Sequence, residues 1–106
     1  MRIRNFTPHS INIVGENGEV LKTFESEGLA RVSSEEKVVE VVDGIPMSET
    51  TFGAVEGLPS EEEDTLLIVS RLVLSQCPDR KDLRAPGMQV RDEEGHVIGC
   101  KTLARN

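Results

Sequence analysis

The sequence predicts a mainly β, α+β fold: a small antiparallel sheet or barrel of about seven short strands, with one short helix against it. Three observations predict it. Apolar residues alternate with polar ones or form short Val- and Ile-rich runs, the pattern of strands. Two turn signatures, Gly15-Glu16-Asn17-Gly18 and Asp92-Glu93-Glu94-Gly95, each lie between two such stretches, as in a hairpin. Only the segment from Arg71 carries both a helix cap and a stop. A chain of 106 residues is one domain, 1–106, without repeat or linker.

The elements follow in order. Arg2-Ile3-Arg4-Asn5-Phe6 alternates and predicts a half-buried strand. Pro8 ends it, because proline has no N–H and holds Thr7 extended. Ile11 and Ile13, then Val20, Leu21 and Phe24, flank the first turn as a hairpin. Leu29–Ser33 and Lys37–Val42 predict two strands, the second rich in valine, which loses rotamer freedom in helices. Asp43-Gly44-Ile45-Pro46 is a turn, Met47–Phe52 a further strand, and Gly53, Gly57 and Pro59 punctuate a loop. The acidic run Ser60–Asp64 is a solvated turn or a helical start. Thr65–Ser70 is the most apolar stretch, a strand covered on both faces. Ser70 caps a helix from Arg71 to about Cys77, ended by Pro78, with Leu72 and Val73 packing back on the sheet. Asp79–Gly87 is a charged loop with a Pro86-Gly87 turn, and Met88–Arg91 and His96–Cys100 form the last hairpin.

Composition excludes several classes of function. No apolar run approaches the ~20 residues that cross a bilayer. Twelve basic and nineteen acidic residues leave a net charge of −7. The charge is uneven: residues 1–64 carry five basic and fourteen acidic groups, residues 65–106 seven and five. So acidic a surface repels duplex DNA and anionic membranes. With three phenylalanines and no tryptophan or tyrosine, the core must be aliphatic, and a core this lean is often completed by a second copy. A homo-oligomer is therefore expected. Met1–Ser10 has no apolar signal core, which predicts a cytoplasmic chain with Cys77 and Cys100 both free.

No nucleophile elbow, phosphate loop, dinucleotide fingerprint or zinc spacing occurs, so no catalytic residue, metal ligand or cofactor is expected. The candidate ligand-binding residues are His9, Arg71, Arg80, Arg84 and Arg91. Arginine forks match phosphate and carboxylate oxygens, and His9 can serve as a hydrogen-bonding partner. The bland alternative is that the arginines pair with Asp79, Asp82 and Asp92, and that His9 serves a tight turn.

Asn5-Phe6-Thr7-Pro8-His9, Ala30-Arg31-Val32-Ser33, Phe52-Gly53 and Glu56-Gly57-Leu58-Pro59 resemble small uncharacterised proteins of phages and other mobile elements. So do Ile68-Val69-Ser70, the Arg80–Gly87 loop and Val90-Arg91-Asp92-Glu93. The likeness spans nearly the whole chain. It implies a setting in a host cell, where such proteins act by binding, and it carries over no activity. The first expectation is a non-enzymatic binding protein that sequesters a small anionic ligand, such as a nucleotide immune signal, with Phe6 or Phe52 available for stacking. The alternative is an acidic interaction module that inhibits or mimics a host protein. A third reading is a small hydrolase or isomerase using His9 with a carboxylate such as Asp92.

Overall fold

In a computed structural model describing residues 1–106, eight strands and one helix follow one another along the chain. They are β1 (Arg2–Asn5), β2 (Ile11–Val14), β3 (Val20–Phe24), β4 (Arg31–Val42) and β5 (Ile45–Glu56), then β6 (Thr65–Ile68), α1 (Arg71–Gln76), β7 (Leu83–Arg91) and β8 (Val97–Ala104). Six strands form one sheet in the order β1-β6-β7-β8-β2-β3, and β4 and β5 form a separate two-stranded ribbon. The fold is mainly β with one short helix, as the alternation predicts.

Both predicted hairpins form. β2 pairs antiparallel with β3 across the Gly15–Gly18 turn, and β7 with β8 across Asp92–Gly95. Gly18 and Gly95 take φ of 84° and 86°, which their turns require and which a side chain would oppose. The remaining pairings of the six-stranded sheet are parallel: β1 with β6, β6 with β7, and β2 with β8. The sheet is therefore mixed. Local turn signals make antiparallel pairs, whereas parallel ones need long connections that leave no local signature.

The core lies between this sheet, α1 and the base of the ribbon. Phe6, Leu67, Val69, Val73, Leu74 and Leu83 are buried there with Ala30 and Ala85. Val32, Val55 and Leu58 pack against them from the ribbon side. β6 lies between β1 and β7, and both Leu67 and Ile68 are buried, which accounts for its unbroken apolar run.

Several local expectations are corrected. The strand expected at Met47–Phe52 is longer, since Ile45-Pro46 and Gly53 belong to β5 and not to a turn and a loop. Leu29–Ser33 and Lys37–Val42 are not separate strands: Arg31–Val42 is one twelve-residue strand, because β5 pairs with it across Ser34–Glu36. Pro86-Gly87 is not a turn but the middle of β7. β6 pairs with β7 only at Leu83 and Arg84, so at Pro86 no ladder on that side asks for an N–H. The helix begins and ends as expected, with Ser70 Oγ accepting from Val73 N–H at 3.2 Å. Its apolar phase is shifted by one residue. Val73 and Leu74 face the core with Cys77, spaced i, i+1 and i+4, while Leu72 is 41% exposed.

Asn5-Phe6-Thr7-Pro8-His9 is held by its first residue. The fully buried Asn5 donates from Nδ2 to the carbonyls of His9 (2.8 Å) and Phe24 (2.9 Å). Its Oδ1 accepts from Thr7 N–H (2.9 Å) and Thr7 Oγ1 (2.7 Å). One amide thereby ties the end of β1 to the end of β3 and closes the turn around Pro8.

Candidate anion-binding site

The chain leaves α1 through Cys77 and Pro78, makes a charged turn and enters β7 at Leu83. This turn and the chain end beyond β8 border a cavity of ≈ 340 Å³ lined by Pro78, Arg80, Lys81, Leu83, Arg84, Arg105 and Asn106. Asn106 Nδ2 donates to the Leu74 carbonyl at 2.9 Å, which fixes the chain end against the last turn of α1.

The cations of this cavity are not equivalent. Arg80 grips Asp82 with a two-pronged fork, Nε to Oδ1 at 2.9 Å and Nη2 to Oδ2 at 2.8 Å, and also donates to the Pro59 carbonyl at 3.0 Å. Asp82 is buried, so its charge requires this partner. The Arg80 hydrogen bonds hold the Asp82 carboxyl below the usual carboxylate range, against the opposing effect of burial, and Asp82 in turn raises the guanidinium. Arg80 is thus committed to the fold.

Arg84 is oriented but not neutralised. Its Nη1 donates to the carbonyls of Lys81 and Leu83, each at 2.8 Å. Neither Lys81, Arg84 nor Arg105 forms an ion pair with a carboxylate. The β7–β8 register ends at Ala85 and Ala104, so Arg84 and Arg105 lie just beyond its last pair, at the same end of the two strands, and both line the cavity. Three unpaired cations around one cavity therefore raise the local potential and suit an anion with several oxygens.

The other candidates lie elsewhere. Arg71 opens α1 and does not line this cavity. The helix has six residues, and Ser70 already occupies the Val73 N–H. Arg91 Nη1 donates to the Gly95 carbonyl at 2.8 Å, bracing the β7–β8 turn. His9 is exposed and borders a second cavity of ≈ 310 Å³, between β2 and β8, with Ser10, Ile11, Pro86, Ile98 and Cys100. Burial pushes the Cys100 thiol up, away from thiolate chemistry. Asp92 does not join His9. Its Oδ1 accepts from Glu94 and His96 N–H in its own turn, and Oδ2 faces His96 Nδ1 at 3.6 Å. Neither phenylalanine reaches the cationic cavity: Phe6 is in the core and Phe52 is on the ribbon.

Sequence reading thus finds two of the four cations, Arg80 and Arg84. Lys81 was visible only as a neighbour in the loop. Arg105 had no local signal, because only the β7–β8 register brings it to Arg84. Comparison of the chain with protein-family models, curated proteins and solved structures gives no match, so the site is read from its own geometry.

Proposed function

We propose that the protein is a non-enzymatic binding protein that holds a small polyanion, of nucleotide size or smaller, at the cavity between the α1–β7 turn and the end of β8. The observation that carries this reading is that Lys81, Arg84 and Arg105, all three without a carboxylate partner, line one cavity of ≈ 340 Å³. Phosphate or carboxylate oxygens would accept from the free edges of Arg84 and Arg105 and from Lys81 Nζ. Arg80 would contribute field rather than contacts, since Asp82 and Pro59 occupy its fork. With no aromatic side chain lining the cavity, recognition would rest on charge and shape, with little discrimination by base stacking.

The test is titration calorimetry with pyrophosphate and with a cyclic dinucleotide, on the wild type and on single variants. Lys81→Ala, Arg84→Ala and Arg105→Ala should each weaken binding by about tenfold, close to 1.4 kcal/mol. Arg71→Ala and Arg91→Ala should leave it unchanged. Binding should weaken steeply between about 50 and 300 mM salt, because the contacts are ionic. Equal losses at all five positions, or no binding of either probe at millimolar concentration, would overturn the reading.

A further inference from the structure

The cavity that His9 borders, of ≈ 310 Å³, is the chemical opposite of the cationic one. β2 and β8 pair only at Ile13 and Cys100. Beyond that pair Asn12 Nδ2 spans to the Ile98 carbonyl at 3.2 Å, and the cleft opens there. Charged residues make up 29% of the chain, yet no Asp, Glu, Lys or Arg lines this cavity. Its walls are Ile11, Pro86 and Ile98, with the polar side chains of His9, Ser10 and Gln89. Those three polar side chains are exposed and form no hydrogen bond within the chain, for His9 is engaged only through its carbonyl. Their donors and acceptors are free to meet a ligand.

The two cavities are neighbours along β7. Leu83, Ala85 and Gly87 are buried, which leaves Arg84 and Pro86 on the other face, two residues or about 7 Å apart. β8 repeats the arrangement, since Leu103 pairs with Pro86 and Arg105 follows two residues later. Size points the same way. Cavities of ≈ 340 and ≈ 310 Å³ each stand at the bottom of the range of ~300–1,000 Å³ that small-molecule sites occupy. A ligand of ordinary dimensions fills both.

We propose that one ligand spans the two cavities and that it is a nucleotide. Its phosphate lies beside Lys81, Arg84 and Arg105, and its uncharged base lies over Pro86 against Ile11 and Ile98. This rests on the cationic cavity holding an anion, and it adds what the rest of that anion is. The sugar of a nucleotide separates base from phosphate by a length comparable to the step from Arg84 to Pro86. A base has apolar faces and an edge of donors and acceptors. Pro86 and Ile98 cover a face, and Ser10, His9 and Gln89 meet the edge. The Gln89 amide offers a donor and an acceptor side by side, the pattern that matches an adenine edge. An inorganic polyphosphate leaves all of these groups unused.

ADP and pyrophosphate carry similar charge at neutral pH, so titration calorimetry with the two separates the cavities. ADP should bind at least about tenfold more tightly than pyrophosphate. Gln89→Ala and Ile98→Ala should each weaken ADP by about threefold to tenfold and leave pyrophosphate unchanged, whereas Arg84→Ala weakens both. In amide NMR spectra of the wild type, the signals of Ser10, Gln89 and Ile98 should move with ADP and stay in place with pyrophosphate, a readout that needs no variant. Equal affinity for the two probes, or cleft signals unmoved by ADP, overturns the proposal while pyrophosphate binding leaves the anion site standing. ADP binding that survives Arg84→Ala overturns it as well, and binding of neither probe overturns both readings.

Discussion

Asn5 and Asp82 show how single polar side chains hold this lean core in place. Asn5 satisfies both amide hydrogens and uses its oxygen twice, all within a buried corner. Asn5→Ala would strand the Thr7 N–H and remove the side-chain donor to the Phe24 carbonyl, while the His9 carbonyl keeps Thr7 Oγ1; this is expected to cost about 2–4 kcal/mol and lower the melting temperature by more than about 10 °C. Thermal unfolding followed by circular dichroism checks it. Asp82 adds a pH dependence with a definite sign. Its carboxyl is held below the usual range by Arg80, so the folded state binds that proton less readily than the unfolded chain. The stabilisation is therefore complete above the ordinary aspartate range near ~4 and is lost as pH falls through the depressed folded value. Urea midpoints measured downward from pH 6 should drop, and Asp82→Asn should flatten that part of the profile while lowering stability at neutral pH.

At the scale of elements, what was legible divides by sequence distance. The β2–β3 and β7–β8 hairpins and the capped helix announce themselves through turn and cap residues a few positions apart. The helix phase was missed because, over six residues, two faces are nearly equally apolar: Leu72 with Val73, or Val73 with Leu74. The continuity of β4 through Ser33-Ser34-Glu35-Glu36 was hidden because both faces there are solvated, so no alternation marks the strand. Arg105 escaped notice for a related reason, since only the β7–β8 pairing brings the residue after β8 to the cavity that Arg84 lines. The β4–β5 ribbon also depends on one backbone position at its base. Gly57 sits at φ 78°, and a Cβ there would run into the Leu29 carbonyl oxygen. Gly57→Ala should destabilise by about 2 kcal/mol or more, because positive φ and the backbone clash act together. Gly44→Ala at the ribbon tip meets nothing within 4 Å and should cost only about 1 kcal/mol. Parallel denaturant titrations of the two variants compare them.

The whole molecule is spread out for its length. Its radius of gyration is 16.9 Å and its extents are 52 × 39 × 21 Å, against a radius near ~13 Å for a compact chain of this size. The difference is the β4–β5 ribbon, and X-ray scattering of the dilute protein should return the larger value. The cationic cavity belongs to the body, beside α1 and the far end of the β7–β8 pair, and the ribbon takes no part in lining it. No helix is long and apolar enough to cross a membrane. The order of the six strands carries one more consequence, in time rather than space. β8 is the last strand along the chain, yet it lies between β7 and β2, and β1 has no sheet neighbour until β6 arrives. The hairpins within the first half can close in microseconds, but the sheet cannot be completed before residue 97 and its successors are available. A growing chain therefore holds β1 and the β2–β3 hairpin without their sheet neighbours until β6 and β8 have been made.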